Sequence, residues 1–366
     1  MMMPTPLPAY RILRSPFAVD VRPGLVLAPM SGVTDSPFRR LVRHCSGDAV
    51  GLFVSEFINV DMLTRGQLRT VIRMPFHASE RPIAIQLYGA DPERIAEGAR
   101  MVQDAGAEAV DINCGCPEPK ICRRGGGAGL LRDLPRLAAI LDGVTAAVQI
   151  PVTIKIRPGW DAGSVNYLET LKVAENHGAS ALAVHGRTRM QLYSGEADWG
   201  VVRALKARAR IPILGSGDIV TPADALTRLA ASGADGALIG RGAILNPWIF
   251  RQIADVAAGR PMFAPTWRDT IAALRHYLAL LDAQYPPKVG PGRMRMMLAR
   301  FLKGFGADPG LRVRCLKLAT PEAMLAHLEV SVAGLGMLEH AWHAAPGRDV
   351  GGDVGGDAVD KESAAA

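Results

Sequence analysis

The sequence predicts an α/β fold, a (β/α)8 TIM barrel followed by a smaller C-terminal helical domain. Eight short apolar runs recur between residues 25 and 240, and most are separated by amphipathic segments with helical spacing. Continuously apolar runs are typical of parallel strands that are covered on both faces. The first run leads into "APMSGVTD", not into the G-x-G-x-x-G of an open dinucleotide-binding sheet. Eight such units therefore favour a closed barrel.

A short segment precedes the barrel. Residues 1–22 are predicted as an N-terminal extension, and their start, "MMMPTPLPAYRILRSP", lacks the apolar core of a signal peptide. The barrel is predicted over residues 23–246. Its strands are predicted, in order, at LVLAPM (25–30), GLFVSEF (51–57), IAIQLYG (83–89), AVDINCG (109–115), VTIKIRPG (152–159), ALAVHGR (181–187), PILGSGDI (212–219) and GALIGRG (236–242).

Three of the intervening helices have recognisable boundaries. They span residues 91–106, 165–178 and 221–233, and each is flanked by a capping residue at its start and a glycine at its end. The expected N-cap and C-terminal glycine pairs are Asp91 and Gly106, Ser164 and Gly178, and Thr221 and Gly233.

The C-terminal part divides by composition. Residues 247–343 are predicted as the helical domain, and residues 246–343 hold 12 Lys and Arg against 7 Asp and Glu. Residues 344–366 are predicted as a disordered tail, because their Gly- and Asp-rich sequence has too few large apolar side chains to offset the entropy of ordering. The whole chain has a formal charge of +7, which permits phosphate-rich partners but is also common in basic enzymes.

Two bulk features bear on the compartment. No uncharged apolar run of about 18 residues occurs, so we expect no membrane span. The chain has five cysteines, an odd number, and three of them lie within nine residues of one another. This pattern is not that of a secreted protein held by disulfides. We therefore expect a cytoplasmic protein.

Polar residues gather at the carboxyl ends of the predicted strands. In a (β/α)8 barrel these ends form the active-site face. Eight ends rich in amide, Lys, His and Arg groups are hard to explain by solvation alone, so the pattern predicts an enzyme. The groups are Pro29 to Ser31, Ser55 and Glu56, Gln86, Asn113, Lys155, His185, Ser216 to Asp218, and Gly240 with Arg241.

The last two strands end in the glycine-rich turns "GSGDI" and "IGRG". Single turns of this kind are commonly ordinary tight turns, but two adjacent turns with Arg241 favour a phosphate site. Lys155 lies between two isoleucines, so either its ammonium points into the barrel mouth, where a reduced flavin would need a cation, or it is a costly buried charge. Gln86 could contact the edge of a flavin or a base. His185 is either a ligand-facing group or a core histidine.

Three cysteines, at positions 114, 116 and 122, cluster in "DINCGCPEPKICRR". The C-x-C-x5-C spacing differs from that of common zinc sites, and a disulfide is disfavoured in a reducing compartment. We expect no metal site. A thiol that gives or takes a proton at the barrel mouth is the remaining functional interpretation. Cys45 and Cys315 are interpreted as packing residues.

A set of ordered segments carries a family resemblance, which runs from about residue 23 to about residue 343. Together they resemble the tRNA-dihydrouridine synthase family, and most closely its bacterial B-type branch. The segments are APMSGVTDSPFR (28–39), VSEF (54–57), IAIQLYG (83–89), DINCGCPEPKICRRGGGAGLLRD (111–133), PVTIKIRPGW (151–160), VHGRTRMQLYSGEADW (184–199), ILGSGDI (213–219) and IGRGAILNPWIF (239–250).

The resemblance implies an oxidoreductase whose barrel binds FMN tightly and whose domain at 247–343 binds RNA. The implied reaction reduces the C5–C6 bond of particular uridines, with hydride passing from N5 of FMN to C6 and NADPH as the electron source. Cys116 corresponds to the family's catalytic acid, which protonates C5. The implied FMN contacts are Pro29, Met30, Ser31, Gln86, Lys155, Ser216, Gly217, Asp218, Gly240 and Arg241.

The resemblance also implies a substrate in which the target base leaves its stack. The implied partner is tRNA, with ribosomal RNA left open, and we expect no DNA or membrane partner and a monomeric protein. Arginines beyond strand ends are suited to RNA phosphates. The implied substrate contacts are Asn113, His185, Arg123, Arg124, Arg157 and Arg187.

The sequence departs from the family pattern at three places. Cys114 stands where methionine is usual, Ser216 replaces an asparagine, and Met296 with Met297 occupy basic or polar positions of the resembling helix at 289–306. Two alternatives remain open: an FMN reductase of a free pyrimidine or other small molecule, and an RNA-binding protein without catalysis. The basic helical region disfavours the first alternative, and the retained Cys116 and Lys155 disfavour the second.

Overall fold

The computed structural model describes residues 5–71, 73–303, 308 and 310–342, and the predicted disordered tail lies outside these residues. Eight parallel strands close into a barrel with helices between them, as the sequence predicts. The strands are β1 Tyr10–Arg14, β2 Phe17–Val21, β3 Leu25–Leu27, β4 Leu52–Val54, β5 Ile58–Asn59, β6 Ile83–Tyr88, β7 Ala109–Cys114, β8 Val152–Ile156, β9 Ala181–His185, β10 Ile213–Ser216 and β11 Gly236–Ile239.

Fifteen α-helices are assigned in the described part of the chain, together with three 3-10 turns at Gly47–Ala49, Ala78–Glu80 and Gly127–Arg132. The α-helices are α1 Ser36–Ser46, α2 Val60–Leu63, α3 Leu68–Val71, α4 Pro92–Asp104, α5 Pro119–Arg123, α6 Leu134–Ala147, α7 Tyr167–Asn176, α8 Trp199–Lys206, α9 Pro222–Ser232, α10 Arg241–Leu245, α11 Ile249–Ala257, α12 Trp267–Gln284, α13 Gly290–Phe301, α14 Leu311–Lys317 and α15 Pro321–Gly334.

The barrel is closed by sequential parallel pairing. Strand β3 pairs with both β4 and β11, so the first strand joins the last. Strands β4 and β5 pair with successive parts of β6, so the short β5 extends the second barrel strand beyond a break at residues 55–57. Every predicted apolar run contains a barrel strand. Strands β3, β4 and β11 end before their polar residues, which leaves those residues in loops at the carboxyl-terminal face, whereas Gln86, Asn113, Lys155, His185 and Ser216 lie within β6 to β10.

The predicted helix boundaries are confirmed except at one N-cap. Asp91 accepts from the N–H groups of Glu93 and Arg94, and Thr221 caps α9. Ser164 is not a cap, because α7 begins three residues later and the Ser164 hydroxyl donates instead to Asp161. This prediction was wrong because the serine closes a local turn, and short polar side chains readily do so.

The interior of the barrel is layered. Successive residues of a strand point to opposite sides, so alternate positions fill the centre. Small apolar side chains occupy its amino-terminal half, at Val26, Leu52, Ala84, Ala109, Ala181, Ala183, Leu214 and Leu238. Polar side chains follow at the carboxyl-terminal half, where β6 to β10 carry Gln86, Asp111, Asn113, Thr153, Lys155, His185 and Ser216.

The predicted N-terminal extension forms an antiparallel hairpin, β1 to β2. Its buried residues Tyr10, Ile12, Val19 and Val21 pack in one cluster with the apolar interior of the barrel. The hairpin therefore closes the amino-terminal end of the barrel, opposite the polar strand ends. The sequence analysis did not predict this hairpin.

The helices after β11 pack in two ways. Helix α11 lies against α9 and α1, in the position of an eighth barrel helix, whereas α12 to α15 pack on one another, with α12 also contacting α1. The rings of His44 on α1 and His276 on α12 stack at 4.3 Å. Among the described residues, no helix is both long and apolar enough to cross a membrane.

Candidate active site

The candidate active site is a cleft of about 2620 Å3 at the carboxyl ends of the barrel strands. This exceeds the usual volume of a single small-ligand pocket, roughly 300–1,000 Å3. The cleft therefore has room for a cofactor and part of a larger substrate. The predicted site residues that line it are Pro29, Met30, Ser31, Asn113, Cys116, Arg124, Lys155, Arg157, His185, Ser216, Gly217, Asp218, Gly240 and Arg241.

A chain of buried hydrogen bonds supports the floor of the cleft. Thr153 Oγ1 donates to Asp111 Oδ1 at 2.5 Å, and Gln86 Nε2 donates to Asp111 Oδ2 at 2.5 Å. Asn113 Nδ2 in turn donates to Gln86 Oε1 at 2.8 Å. Burial raises the pKa of the Asp111 carboxyl. Every side-chain polar atom in this hydrogen-bond network has a partner, so the network fixes the rotamer of Asn113.

Asn113 fixes the backbone of the cysteine loop above it. Its Oδ1 accepts from the N–H groups of Gly115, at 3.1 Å, and Cys116, at 2.8 Å. The carbonyl of Cys116 accepts from Ala128 N–H at 3.0 Å. A Cβ at Gly127 would lie 2.9 Å from that carbonyl oxygen, so the loop needs glycine there. Cys116 is thus held at its N–H and its carbonyl.

The three clustered cysteines have different environments. Cys116 borders the cleft, whereas Cys114 is fully buried among apolar residues on the other side of strand β7. Burial raises the pKa of the Cys116 thiol to about 11 and the pKa of Cys114 further still. Cys122 donates its S–H to the Cys116 carbonyl oxygen at 3.4 Å and packs beneath the loop. Cys116 is therefore a protonated thiol at neutral pH.

Lys155 and His185 face the cleft beside this thiol. Burial and the neighbouring Arg157 guanidinium lower the pKa of Lys155 to about 8. Within the described residues, the Lys155 ammonium makes no direct hydrogen bond or ion pair, although the buried Asp111 carboxyl attracts it and partly opposes the fall of its pKa. Burial, reinforced by the surrounding arginine and lysine charges, lowers the pKa of His185 well below its usual value. His185 is therefore neutral near pH 7.

The glycine-rich turns after β10 and β11 meet at a cluster of charges. Arg187 makes two 2.8 Å bonds to the two carboxylate oxygens of Asp218, and Arg241 Nη2 donates to Asp218 Oδ1 at 2.9 Å. Burial alone would raise the pKa of Asp218, but the bonds from Arg187 and from Ala197 N–H lower it. Two guanidinium groups beside the glycine-rich turns suit an anionic ligand.

Backbone geometry explains the glycine in the first of these turns. Gly217 has φ +119°, and a Cβ there would lie 2.5 Å from Ala197 Cβ and 2.9 Å from His185 Cδ2. Asp218, the next residue, has φ +52°, which non-glycine residues adopt only where surrounding contacts hold them. The turn is therefore fixed on both sides by residues of the cleft.

Three predicted site residues do not line the cleft. Gln86 is fully buried and contacts Asn113 and Asp111 instead of open space. Arg187 is 3% exposed and its guanidinium binds Asp218 and backbone carbonyls. Arg123 is exposed on α5, outside the cleft. Position at a strand end predicted that these residues lie near the carboxyl-terminal face of the barrel. It did not predict which of their side chains line the cleft.

Arg157 lines the cleft but is 3% exposed and bound by protein acceptors. Its Nε donates to the carbonyl of Gly115 in the cysteine loop at 2.9 Å. Its Nη1 donates to carbonyls of residues 187, 188 and 192 in the loop after β9. Arg157 thus joins the two loops on either side of the cleft. Contact with an RNA phosphate requires an exposed guanidinium, and that of Arg157 is buried.

Sequence reasoning missed most of the basic rim. Among residues lining the cleft, 10 are Lys or Arg and 6 are Asp or Glu, which gives a positive excess. Nothing local in the sequence marked the unpredicted basic residues, because they come from helices and loops far apart in the chain. They are Arg65, Arg73, Lys120, Arg136, Arg189 and Arg300.

Helix α13 also reaches the cleft, through Met296 and Arg300. Met297, by contrast, is fully buried in the core. The two methionines that depart from the family pattern therefore have different environments, one at the cleft and one in packing. No group of three His, Cys, Asp or Glu residues in the described part of the chain is arranged to hold a metal ion.

The sequence matches a known family over most of its length. Residues 26–333 match the family described as Dihydrouridine synthase (Dus). The chain belongs to the dihydrouridine synthase family. It is therefore an oxidoreductase, and both the resemblance and the expectation of an enzyme are confirmed.

Curated relatives support the same assignment. This dihydrouridine synthase is 38% identical over 309 residues to tRNA-dihydrouridine synthase B of Pseudomonas putida, covering 84% of this chain and 91% of that protein. It is 39% identical to tRNA-dihydrouridine synthase B of Pseudomonas syringae, with the same coverage. It is also 38% identical over 317 residues to a probable tRNA-dihydrouridine synthase of Mycobacterium tuberculosis, covering 84% of this chain and 80% of that protein.

A solved structure shares the fold. An old yellow enzyme homologue from Zymomonas mobilis superposes with a TM-score of 0.51 at 14% identity, covering 70% of this chain and 94% of that chain. At this identity the likeness supports the barrel fold of the synthase and nothing finer.

Proposed function

We propose that this dihydrouridine synthase reduces the C5–C6 double bond of specific uridines in tRNA, with FMN as its flavin and NADPH as the reductant. The observation that carries the proposal is that the Lys155 ammonium and the protonated thiol of Cys116 line the same cleft. Reduction of a carbon–carbon double bond needs a hydride and a proton. The named relatives support tRNA as the substrate.

The residues of the cleft fit a flavin with a phosphate tail. Lys155 offers a positive charge to a ring that becomes anionic on reduction. The guanidinium groups of Arg187 and Arg241 around Asp218, beside Gly217 and Gly240, suit the phosphate. Bound FMN would supply the hydride. The proposed lining residues are Pro29, Met30, Ser31, Lys155, Ser216, Gly217, Gly240 and Arg241.

Cys116 is the proposed proton donor to C5 of uracil. A thiol with a pKa of about 11 keeps its proton at physiological pH and gives it only to a strongly basic centre, such as a developing carbanion. Asn113 and neutral His185 are proposed to bind the base, because amide and imidazole groups can donate to its carbonyls without adding charge.

Three predicted contact residues receive a different proposed role. Gln86 holds Asn113, Arg187 holds Asp218, and Arg157 holds the loop that carries Cys116. We propose that these residues position the site, and that Asp218 does so by fixing Arg241. Arg123 and Arg124, both exposed on the cysteine side, remain proposed contacts of RNA phosphates.

The helices after the barrel are proposed as the RNA-binding domain. The predicted boundary is residue 246, but α11 packs as a barrel helix, so we propose that the domain begins with α12. The excess of basic residues around the cleft supports a polyanionic substrate, and the target uridine must leave its stack to enter. A monomer stays a prediction.

Reconstitution with FMN tests the flavin assignment. We expect the purified protein to be yellow, or to become so on addition of FMN, and Lys155→Met to bind FMN more weakly because the ring loses its cation. The measurement is the visible absorption spectrum after gel filtration. A protein that stays colourless with excess FMN contradicts the assignment.

A further inference from the structure

Asp35 lies where the barrel meets the C-terminal helices. Its side chain is 4% exposed and caps α1 by accepting from Phe38 N–H at 3.1 Å. It also accepts from Arg293 Nη1 of α13 at 2.6 Å and from the Tyr285 hydroxyl at 2.7 Å. Burial raises the pKa of the Asp35 carboxyl, and the Arg293 charge opposes that effect. One buried carboxylate thus joins two parts of the molecule.

The loop that precedes Asp35 carries the proposed flavin-lining residues and is held mainly by bonds to barrel residues. The Met30 carbonyl accepts from the N–H groups of Val33 and Thr34, and Met30 N–H donates to Thr34 Oγ1. Gly32 N–H donates to a Glu56 carboxylate oxygen at 2.9 Å. Barrel residues therefore make most of the bonds that hold this loop, residues 29–34, which we call the flavin loop. It can serve as a fixed platform.

Helix α13 meets that platform through Arg293, and it also packs against α10 of the barrel. Arg293 bonds Asp35, approaches the Gly32 carbonyl at 3.4 Å, and has its guanidinium 4.5 Å from the centre of the Tyr285 ring. Met296 and Arg300 lie three and seven residues later, on the same helical face, and both line the cleft. The anchor and the cleft-lining residues of α13 therefore move together.

We propose that Asp35 and Arg293 are positioning residues whose ion pair sets α13 at a fixed distance from the flavin loop. An RNA held against Met296 and Arg300 then presents its uridine at the depth where the flavin and Cys116 act. The inference rests on the proposed function, since only a macromolecular substrate touches both α13 and the barrel. A displacement of about 1 Å at a reacting centre can cost on the order of 100-fold in rate.

The two half-reactions separate positioning from simple stability. In Arg293→Met, NADPH should reduce the bound flavin at the wild-type rate within about twofold, because the flavin loop loses the 3.4 Å bond to the Gly32 carbonyl but keeps its bonds to barrel residues. Oxidation of the reduced flavin by saturating tRNA should slow by about 10-fold or more. Stopped-flow absorption of the flavin measures both steps.

A matched arginine on the same helix provides the control. Arg295 donates to the carbonyls of Leu316, Leu318 and Ala319, so its bonds to described residues lie within the C-terminal helical part. Arg295→Met should lower the melting temperature while leaving the ratio of the two half-reaction rates unchanged. An equal change of ratio in both variants would overturn the proposal.

A double variant covers the case in which the single change unfolds the protein. Arg293→Met with Asp35→Asn leaves no unpaired charge and retains an N-cap side chain. Its melting temperature should recover, whereas the tRNA step should stay slow. Recovery of both would show that the pair serves stability alone.

Hydrogen exchange tests the anchoring independently of any substrate. Amides in the first turn of α13 should exchange faster in the double variant than in the wild type, while those of Val33 and Thr34 should not change. Unchanged exchange in α13 overturns the inference. If wild-type protein forms no dihydrouridine in tRNA, the proposed function fails, yet this measurement still decides whether Arg293 anchors α13.

Discussion

Cys116 shows how much structure a single reactive group requires. Its N–H is bound by Asn113, its carbonyl by Ala128, and its neighbour Gly115 by Arg157. These contacts come from β7, the 3-10 turn at Gly127–Arg132 and the segment after β8, so the thiol is placed by three parts of the barrel together. Such preorganisation is what a proton donor needs.

Substitution of the two neighbouring cysteines should give opposite results. Cys116→Ala should lower the rate of uridine reduction by roughly 10²- to 10⁴-fold, the usual contribution of a general acid. Cys114→Ala should leave the rate near wild type and lower the free energy of unfolding by roughly 1 kcal/mol, because Cys114 is buried away from the cleft. Single-turnover kinetics and thermal unfolding measure the two effects, and the reverse pattern would show that Cys114 is the donor.

The charge of Lys155 should set the alkaline limit of activity. Its pKa is about 8, so the ammonium is charged below that pH and loses its proton as the pH rises through it. The Cys116 thiol has a pKa of about 11 and stays protonated over this range. The rate of uridine reduction should therefore fall above about pH 8.

Arginine at position 155 provides the control for this assignment. Lys155→Arg keeps its charge at high pH, so the fall in rate should occur at a higher pH than in the wild type, even if the variant is slower. A fall that remains near pH 8 in this variant would assign the ionisation to another group.

At the scale of single elements, the turn between β10 and α9 combines strain with function. Gly217 has a positive φ and no space for a Cβ, and it leads into the carboxylate that orders Arg187 and Arg241. Strained turns of this kind persist at sites where the surrounding contacts fix them.

Gly217→Ala tests whether that turn supports flavin binding. The change should lower the free energy of unfolding by roughly 1–3 kcal/mol and weaken FMN binding, because the added Cβ would push against Ala197 and His185. Gly233→Ala, at the other end of α9, has φ +67° and open space, so it should destabilise by roughly 1–2 kcal/mol without changing FMN affinity. Flavin fluorescence titrations and thermal unfolding make the comparison; equal FMN affinity in both variants contradicts the role of the turn.

The elements that depend on local rules could be predicted from the sequence. Each barrel strand could be predicted from a short apolar run. The N-caps Asp91 and Thr221 could be predicted because their side chains bond the N–H groups of the next few residues. The β1–β2 hairpin could not be predicted in the same way, because its apolar face is defined only by the barrel end that it closes. Ser164 failed because a turn competed with the helix for its hydroxyl.

The site was predicted in outline for a related reason. Strand ends converge in any barrel, so Cys116, Lys155 and Asp218 could be placed at one cleft from spacing alone. The burial of individual side chains could not be predicted from spacing. Because Arg157 and Arg187 are buried, Arg157 binds backbone carbonyls and Arg187 binds Asp218. The approach of α13 to the cleft depends on long-range packing that no local pattern encodes.

At the scale of the whole molecule, the cleft is lined by both the barrel and the C-terminal helix α13. The barrel provides the reactive groups, whereas α13 adds Met296 and Arg300 to the wall through an anchor at Asp35. The basic excess around the cleft comes from segments between residues 65 and 300 and appears only on folding. A substrate larger than the flavin pocket therefore contacts both parts at once.

Mass spectrometry of dihydrouridine in RNA tests the central claim most directly. Total tRNA and ribosomal RNA would be compared between a deletion strain and the same strain carrying the wild-type or Cys116→Ala protein. We predict that dihydrouridine is lost from defined tRNA positions on deletion, returns with the wild-type protein and does not return with Cys116→Ala. Unchanged tRNA dihydrouridine, or a loss confined to ribosomal RNA, would contradict tRNA uridine reduction as the function.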